Sequence, residues 1–262
     1  MKLLITLLCL ITTIPTCVSA QYKQHRPFQD YYSARAIGSE RVYQRIYIGA
    51  GKHFLTGTAD LHYVGTDTTG APVDTSISKK VRAKGSYVFH AGTFFPVALL
   101  SDNSMIAFNV EFLGAFYYLA IDSVFFHPGA LYKGSESITM LGVPISLEFK
   151  SGGDVSLSKV RKSMFAIGAG AYFGGTNSYV AYQDQLPFIP IPFAKVEAGF
   201  FAGLAFKLRG VAYFGNANFI DRPTGHIFGE DQLTTKTHSG YGFQLSVIMM
   251  PFSNGWRTEE WY

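Results

Sequence analysis

Residues 193–208 read FAKVEAGFFAGLAFKL, and this stretch decides the fold class. All even positions from Ala194 to Leu208 are apolar, whereas the odd positions are charged, small or, once, phenylalanine. An α-helix would scatter these two sets around its circumference, but a β-strand places one set on each face. The stretch therefore predicts one strand over 194–208, and the G-x-x-x-G spacing of GFFAG is a coincidence rather than a helix-packing motif.

The same alternation recurs along the chain. It is clear in four more segments, which are 105–116, 138–150, 164–173 and 241–252. It is weaker in three others, which are 42–54, 85–97 and 208–216. The pattern predicts about eight strands of roughly 9–14 residues, which is long enough to cross a bilayer when tilted.

The predicted connections alternate in length. The long polar ones lie at about 55–84, 117–137, 174–192 and 217–239. The short ones lie at 98–104, 151–162 and a tight turn near Lys207 to Gly210. Within the first long connection, TADLHYV and ISKKVRAKG indicate a hairpin that extends beyond the bilayer. Short turns on one side and long loops on the other are typical of an up-and-down barrel.

The N-terminus has the features of a secretory signal peptide. Lys2 precedes an apolar core, and Val18-Ser19-Ala20 offers a cleavage site before Gln21. A lipoprotein signal using Cys17 is the weaker alternative because the residues before it match poorly. We expect Sec-dependent export with cleavage near Ala20/Gln21. The predicted organisation is a signal peptide 1–20, a periplasmic lead-in 21–41, an outer-membrane β-barrel 42–252 and a tail 253–262.

Composition narrows the possible functions. Charged residues make up 15% of the chain and aromatic residues 16%, whereas soluble domains have about 25% charged residues. Both cysteines, Cys9 and Cys17, lie in the predicted signal peptide, so the mature chain has no thiol for a disulfide, a metal or nucleophilic catalysis. Basic residues are scattered, which argues against a nucleic-acid partner.

The less apolar strand face distinguishes a membrane barrel from a soluble one. It consists mostly of Gly, Ala and Ser with occasional charges, which suits a crowded lumen better than water. The opposite face suits lipid, and in 194–208 the predicted lipid-facing residues are Val196, Phe200, Leu204 and Phe206. Gly199 and Gly203 are expected to point inward. We predict an all-β fold, an antiparallel up-and-down transmembrane β-barrel of about 8 strands.

Three segments resemble the PorT-like outer membrane β-barrel proteins of Gram-negative bacteria. LGVPISLEFK (141–150) is similar to the I-P-L-x-L-K-Y strand of that family, although Glu148 departs from its pattern. FAIGAGAYFGG (165–175) and VEAGFFAGLAFKLRGVAYFGNAN (196–218) resemble the strands that follow. The resemblance implies an outer-membrane barrel of about eight strands, and it implies no catalytic residues.

Several charged residues fall on predicted inward faces. They are Glu111, Glu148, Lys150, Lys195, Glu197 and Lys207, with Asn109 beside them. Buried charges must pair, so these residues predict an ion-pair network that fills a narrow lumen. The alternative is a narrow gated conduit. An open diffusion porin is disfavoured because such porins need about 16 strands.

The sequence provides no pattern for catalysis or for a cofactor. It has no G-x-S-x-G motif and no H-x-x-x-H pair, so we predict no catalytic, cofactor-binding or metal-binding residues. Asp60 and His62 share a strand face without a serine placed near them, and His90 is expected in the lumen. Pro144 predicts a bulge or a local break in its strand.

These observations favour a non-enzymatic barrel with a structural or scaffold role in the cell envelope. A narrow channel or small-ligand transporter is the alternative, and a barrel-embedded lipid-modifying enzyme is a second one. The expected partners are outer-membrane lipid, lipopolysaccharide and a protein of an envelope or secretion complex. The long loops 174–192 and 217–239 are candidates for such contacts.

Overall fold

The computed structural model describes residues 39–101, 103–127, 130–178, 190–214, 218–226 and 232–256, together with residue 258. The predicted signal peptide and most of the predicted lead-in lie outside the described residues. The described strands are β1 Tyr47–Thr66, β2 Pro72–Ser101, β3 Ser104–His127, β4 Ala130–Gly152, β5 Ser163–Ser178, β6 Ile191–Ala202, β7 Leu204–Phe214, β8 Asn218–His226 and β9 Gln232–Met250.

Three short helical segments accompany the strands. They are a 3₁₀ helix at Ser39–Arg45, a single helical turn α1 at Gly153–Ser156 and a second 3₁₀ helix at Pro251–Gly255. In the described part of the chain, no helix has the length and apolar character needed to span a bilayer.

Consecutive strands from β1 to β7 pair antiparallel, β7 and β8 each pair antiparallel with β9, and β1 pairs with β9 to close the barrel. β7 and β8 lie end to end along β9, with β7 beside its C-terminal half and β8 beside its N-terminal half. They therefore occupy one position, and the barrel has eight strand positions around its circumference. This confirms the predicted up-and-down architecture of about eight strands.

The stretch 193–208 forms a hairpin and not the predicted single strand. β6 ends at Ala202 and β7 begins at Leu204, so the predicted turn near Lys207 to Gly210 is wrong. Gly203 forms the turn with φ of 80°, a left-handed conformation that glycine adopts without steric cost, and it does not line the lumen as predicted. Phe200 pairs with Phe206 and Ala202 with Leu204. Because residues of equal parity pair, the alternation continues unbroken through the turn.

Most strands are longer than predicted. β1 has 20 residues and β2 has 30, because much of the predicted connection 55–84 continues the hairpin as TADLHYV and ISKKVRAKG indicated. Their turn is short, with the Asp67 amide donating to the Ala71 carbonyl at 2.9 Å. The first strand starts at Tyr47 rather than at 42, since the residues before it form the 3₁₀ helix.

Pro144 interrupts one ladder without a bulge. β4 keeps an unshifted register with β5 across Pro144, which pairs with Tyr172. On the β3 side the recorded pairs skip from Val110–Ile145 to Leu113–Gly142 with no change of register. Proline has no amide proton to donate, so the ladder between β3 and β4 is locally broken. Of the two outcomes predicted for Pro144, the structure has the local break and not the bulge.

The polarity of the two faces inverts along β1. From Tyr47 to Phe54 the outer face is mostly apolar, with Ile48 and Phe54 exposed and Lys52 as its one charged residue, and His53 is buried inside. From Leu55 to Thr66 the inner face is apolar instead, and polar side chains such as Thr56 lie outside. We call the part of the barrel nearer the two 3₁₀ helices the lower barrel (Tyr47–Phe54 on β1) and the part nearer the long hairpins the upper barrel (Leu55–Thr66 on β1).

The outer wall of the lower barrel is an apolar belt. Its exposed large side chains include Phe95, Phe112, Leu147, Phe149, Ile167, Val196, Phe200, Leu208, Leu245 and Val247. Exposed aromatic residues border it towards the upper barrel, namely Phe54, Tyr87, Phe89, Phe116 and Tyr118. A continuous apolar belt with an aromatic border is stable in the hydrocarbon of a bilayer and not in water.

Side chains fill the lumen in layers. An apolar cluster that includes Leu61, Tyr63 and Leu113 fills the upper barrel, and a second one that includes Phe94, Met105 and Trp256 lies at the lower end. The two terminal 3₁₀ helices meet there, since the Trp256 indole Nε1 donates to the Gln44 carbonyl at 3.3 Å. Phe201 stacks on Trp256 with ring centroids 5.8 Å apart.

Candidate functional site

A cluster of ionised side chains lies inside the lower barrel, between the two apolar clusters. The six charged residues selected from the sequence are all between 1% and 5% exposed. The structure adds Asp154 and Arg209, which are equally buried. We call these eight residues the charge network. Its members are Glu111, Glu148, Asp154, Glu197, Lys150, Lys195, Lys207 and Arg209.

Glu197 on β6 pairs with three cations of this network. Its Oε1 accepts from Arg209 Nε at 2.8 Å and lies 2.7 Å from Arg209 Nη2. Its Oε2 lies 3.2 Å from Lys207 Nζ and 3.6 Å from Lys150 Nζ. One carboxylate thus joins three cations that come from two strands, and β7 supplies two of them.

Glu148 on β4 pairs with one lysine of its own strand and one of β6. Its Oε2 lies 2.9 Å from Lys150 Nζ, and its Oε1 forms an ion pair with Lys195. The same Oε1 accepts a hydrogen bond from Ser146 Oγ at 3.0 Å. Glu148, the departure from the resembled family pattern, is therefore a fully engaged member of the network.

Glu111 connects the network to β1 and β2. It forms an ion pair with Arg209, and its Oε2 accepts a hydrogen bond from the Tyr47 hydroxyl at 2.6 Å. His90 Nδ1 lies 3.7 Å from Glu111 Oε1 and 3.3 Å from Arg209 Nη1. His90 thus lies in the lumen as predicted, and the Tyr47 hydroxyl also reaches Asn109 Oδ1 at 3.0 Å.

Asp154 enters the network from the β4–β5 connection. The helical turn α1 is folded into the barrel end, and Asp154 is fully buried. Its Oδ2 lies 2.5 Å from Lys207 Nζ and 3.5 Å from Lys150 Nζ. Gly152 makes this entry possible, because its φ is 105° and a Cβ there would collide with the Ser163 carbonyl.

The sequence analysis missed Asp154 and Arg209 for different reasons. It treated 151–162 as a plain short connection, and nothing in SGGDVS reveals that the segment folds inward. It placed a turn near Arg209 and therefore assigned no face there. Lys195, Glu197 and Lys207 all have odd numbers, and the odd-numbered residues of β7 also point inward. Extending this rule along β7 would have predicted Arg209 in the lumen.

The network is neutral as a whole. Its four carboxylates and four cations cancel in formal charge, and each is removed from water. Aromatic rings shield two of the cations further, with Lys150 Nζ 4.2 Å from the Phe94 ring centroid and Arg209 Cζ 4.8 Å from that of Tyr47. Neutral pairing is what makes eight buried charges tolerable, because an unpaired buried charge is strongly destabilising.

A second set of polar contacts lies on the outer face of the upper barrel. His62 Nε2 lies 2.7 Å from Asp74 Oδ1, and Ser78 Oγ donates to Asp60 Oδ1 at 2.7 Å. Ser76 pairs with His62 across the strands, so the structure brings serines to a face where the sequence indicated none. These side chains lie on an open, solvent-exposed surface. No cluster of three or more metal-ligating side chains occurs among the described residues.

Fold and site together define a class, a transmembrane β-barrel with a filled, charge-paired lumen. No protein-family model matches the sequence, and no curated protein matches it. The resemblance to the PorT-like family therefore stays a prediction.

Some solved structures are similar to this chain at low identity. The outer membrane protein OprG from Pseudomonas aeruginosa is 12% identical with a TM-score of 0.35, over 78% of this chain and 94% of that one. The outer membrane protease OmpT from Escherichia coli is 8% identical with a TM-score of 0.33, over 78% and 95%. The attachment invasion locus protein Ail of Yersinia pestis is 9% identical with a TM-score of 0.22, over 75% and 98%. The barrel assignment rests on the strand pairing described above, and none of these proteins transfers an activity to this chain.

Proposed function

We propose that the protein is a non-enzymatic integral barrel of the outer membrane that acts as a rigid structural or scaffold element of the cell envelope. The observation that supports this most strongly is the filled lumen. A neutral network of eight buried charges lies between two apolar clusters, and its carboxylates and cations pair with one another.

The same packing argues against a conduit for ions or small ligands. The interior of an eight-stranded barrel is just wide enough for side chains to fill it. A permeating ion would have to separate Glu197 from Lys207 and Arg209, which lie within about 3 Å of it. Breaking such buried pairs costs several kcal/mol, on the order of 3–5.

The proposed orientation follows from the even number of strand positions. The 3₁₀ helices Ser39–Arg45 and Pro251–Gly255, which precede β1 and follow β9, both lie at the lower end, and a chain exported through the inner membrane would leave that end in the periplasm. The upper barrel would then project from the cell surface. The predicted signal peptide supports export to the outer membrane.

A cationic cleft at the lower end is the surface we assign to a protein partner. It has a volume of about 550 Å³ and is lined by Asn103, Ser151, Gly152, Val160, Arg161, Lys162, Ser163, Met164 and Phe165. No lining residue is acidic, and Arg161 and Lys162 are basic. An acidic segment of a periplasmic partner is complementary to this lining.

Conductance across planar lipid bilayers tests the non-conducting role. The purified mature chain should insert and remain electrically silent. The double variant Glu197→Ala/Arg209→Ala removes two central side chains of the network and should conduct, which controls for detection. Discrete channel openings in the wild-type protein would refute the scaffold proposal in favour of the channel.

Affinity capture from detergent-solubilised envelope tests the partner. Wild-type protein should retain a periplasmic protein that Arg161→Gln/Lys162→Gln loses. Lys79→Gln/Lys80→Gln makes the same change in charge in the upper barrel and should retain that protein. If both double variants retain it equally, the cleft is not the docking surface.

A further inference from the structure

Three cations lie on the outer wall of the β1–β2 ribbon. Lys52 on β1 and Lys80 and Arg82 on β2 are exposed at outward-facing positions. Across the ribbon, Lys80 pairs with Thr58 and Arg82 with Thr56, so the three cations follow one line up the wall. We call Lys52, Lys80 and Arg82 the cationic stripe.

The stripe spans the level at which the polarity of the faces inverts. Arg82 pairs with Thr56, directly above the inversion at Leu55. The exposed Tyr118 pairs with a position on β2 two residues below Arg82. Lys52 lies below the inversion, between the outward-facing Ala50 and Phe54. Aromatic borders of this kind mark the headgroup level of a bilayer, and a lysine just inside it extends its ammonium towards the headgroups.

Among the side chains that the structure describes, no anion neutralises the stripe. Lys52, Lys80 and Arg82 form no ion pair with any side chain that the structure describes, in contrast to the four cations in the lumen. β2 has no acidic residue from Thr75 to Ser101, and β9 has none at all. Asp60 is the acidic residue of β1 nearest to Lys80, and it accepts a hydrogen bond from Ser78.

Hydroxyl groups surround the upper part of the stripe. Thr56 and Thr58 lie beside its two upper cations, and Ser76 and Ser78 continue the same outer face above them. A phospholipid ends at the headgroup level, whereas a phosphorylated glycolipid continues upward as sugars. Cations at the headgroup level with hydroxyls above them fit the second kind of molecule.

We propose that the cationic stripe binds the phosphate groups of lipopolysaccharide, with the sugars against the hydroxyl-bearing face above. This inference rests on the outer-membrane location and orientation of the proposed function. Arg82 supplies paired N–H donors for one phosphate, and Lys80 and Lys52 supply point charges on either side of it. The occupant is a lipid of the outer leaflet rather than a protein, because the site lies at the headgroup level on the outer wall of the barrel.

The test is the amount of lipopolysaccharide that stays bound when the full mature chain is purified in mild detergent. Lys80→Gln/Arg82→Gln should retain about thirtyfold less per barrel than the wild type, since each of the two basic residues near an anionic lipid surface contributes about fivefold. Lys79→Gln/Lys159→Gln removes the same charge at two positions outside the stripe and should retain the wild-type amount. Lys80→Arg should also bind as the wild type does.

Rebinding to delipidated protein identifies the ligand chemistry. Rough lipopolysaccharide should rebind, and the same preparation after enzymatic dephosphorylation should bind about tenfold more weakly. The proposal is overturned if both double variants retain equal amounts, if dephosphorylation has no effect, or if phosphatidylglycerol micelles compete as well as lipopolysaccharide. Heat-modifiable gel mobility confirms that each variant is folded, and it separates loss of this site from failure of the barrel itself.

Discussion

The lower and upper barrel are built from the same strands with opposite polarity. In the lower barrel Val196 and Phe200 lie outside while Lys195 and Glu197 are buried inside. In the upper barrel His62 lies outside while Leu61 and Tyr63 are buried. The strand and its pleat are identical in both regions, so the surrounding medium decides which face is apolar. The inversion of polarity therefore locates the border between lipid and water at about Leu55 on β1.

The two regions also use charge differently. The exposed pair of His62 and Asp74 is of a kind worth about 0–1 kcal/mol, because water solvates both partners. A buried pair in the lumen stabilises little by its presence, but losing one partner is costly because the other stays without water. Substitutions that make the same chemical change in both regions therefore test whether burial determines the cost.

The largest effect is expected from Glu197→Gln. The amide keeps the size of the side chain but leaves Lys150, Lys207 and Arg209 with one carboxylate fewer. The free energy of unfolding, measured by urea titration in phospholipid vesicles, should fall by about 3–5 kcal/mol. Asp74→Asn makes the same change on the exposed pair and should cost less than about 1 kcal/mol. Equal losses would contradict a distinction based on burial.

Leu61→Ala should follow closely. Leu61 is 1% exposed within the upper apolar cluster, and removing its side chain leaves a cavity, which costs about 2–5 kcal/mol. Leu208→Ala makes the same truncation on the outer wall of the lower barrel, where lipid can fill the space. The free energies of unfolding of both variants are measured by guanidinium titration. A larger loss for the Leu208 variant would show that the upper apolar cluster is not a packed core.

Val196→Arg should cost about 2–4 kcal/mol, because it places a cation on the apolar belt. Thr58→Arg places the same cation on the outer face of the upper barrel and should change the free energy of unfolding by less than about 0.5 kcal/mol. The fraction of folded barrel on unboiled gels gives an independent readout. If the two variants fold equally well, the border at Leu55 is misplaced.

The smallest effect is expected at the β6–β7 turn. Gly203→Ala places a side chain in the left-handed region, which costs about 1–2 kcal/mol, although no atom lies within 4 Å of the added Cβ. Gly175→Ala also adds a Cβ with no atom within 4 Å, but without a positive φ, and it should cost only a few tenths of a kcal/mol. Equal thermal stability of the two variants would show that the φ of Gly203 imposes no cost.

The alternation in 194–208 predicted which residues share a face but not where the strand ends. Pairing of Ala202 with Leu204 preserves parity through the turn, so no break in the pattern marks Gly203. The upper barrel was mostly assigned to connections, because an outer face of Thr, Ser and Asp has the composition of a loop. The buried alternate positions Ala59, Leu61 and Tyr63 gave the correct indication of a longer hairpin.

The network was predictable only where it lies on strands. Period two places Glu111, Glu148 and Glu197 on inward faces, but it does not determine which cation each one meets, since partners depend on register between distant strands. Asp154 depends on a helical turn folded into the barrel, a tertiary arrangement with no periodic signal.

The contact between Trp256 and Gln44 has a consequence for folding kinetics. The residues are 212 positions apart, and they meet only after β9 has paired with β1. Local hairpins such as β6–β7 can form early, whereas contacts of such separation are slow because a long loop must close first. The indole of Trp256 is 2% exposed in the closed barrel. The change in its fluorescence on burial therefore reports the final closing step.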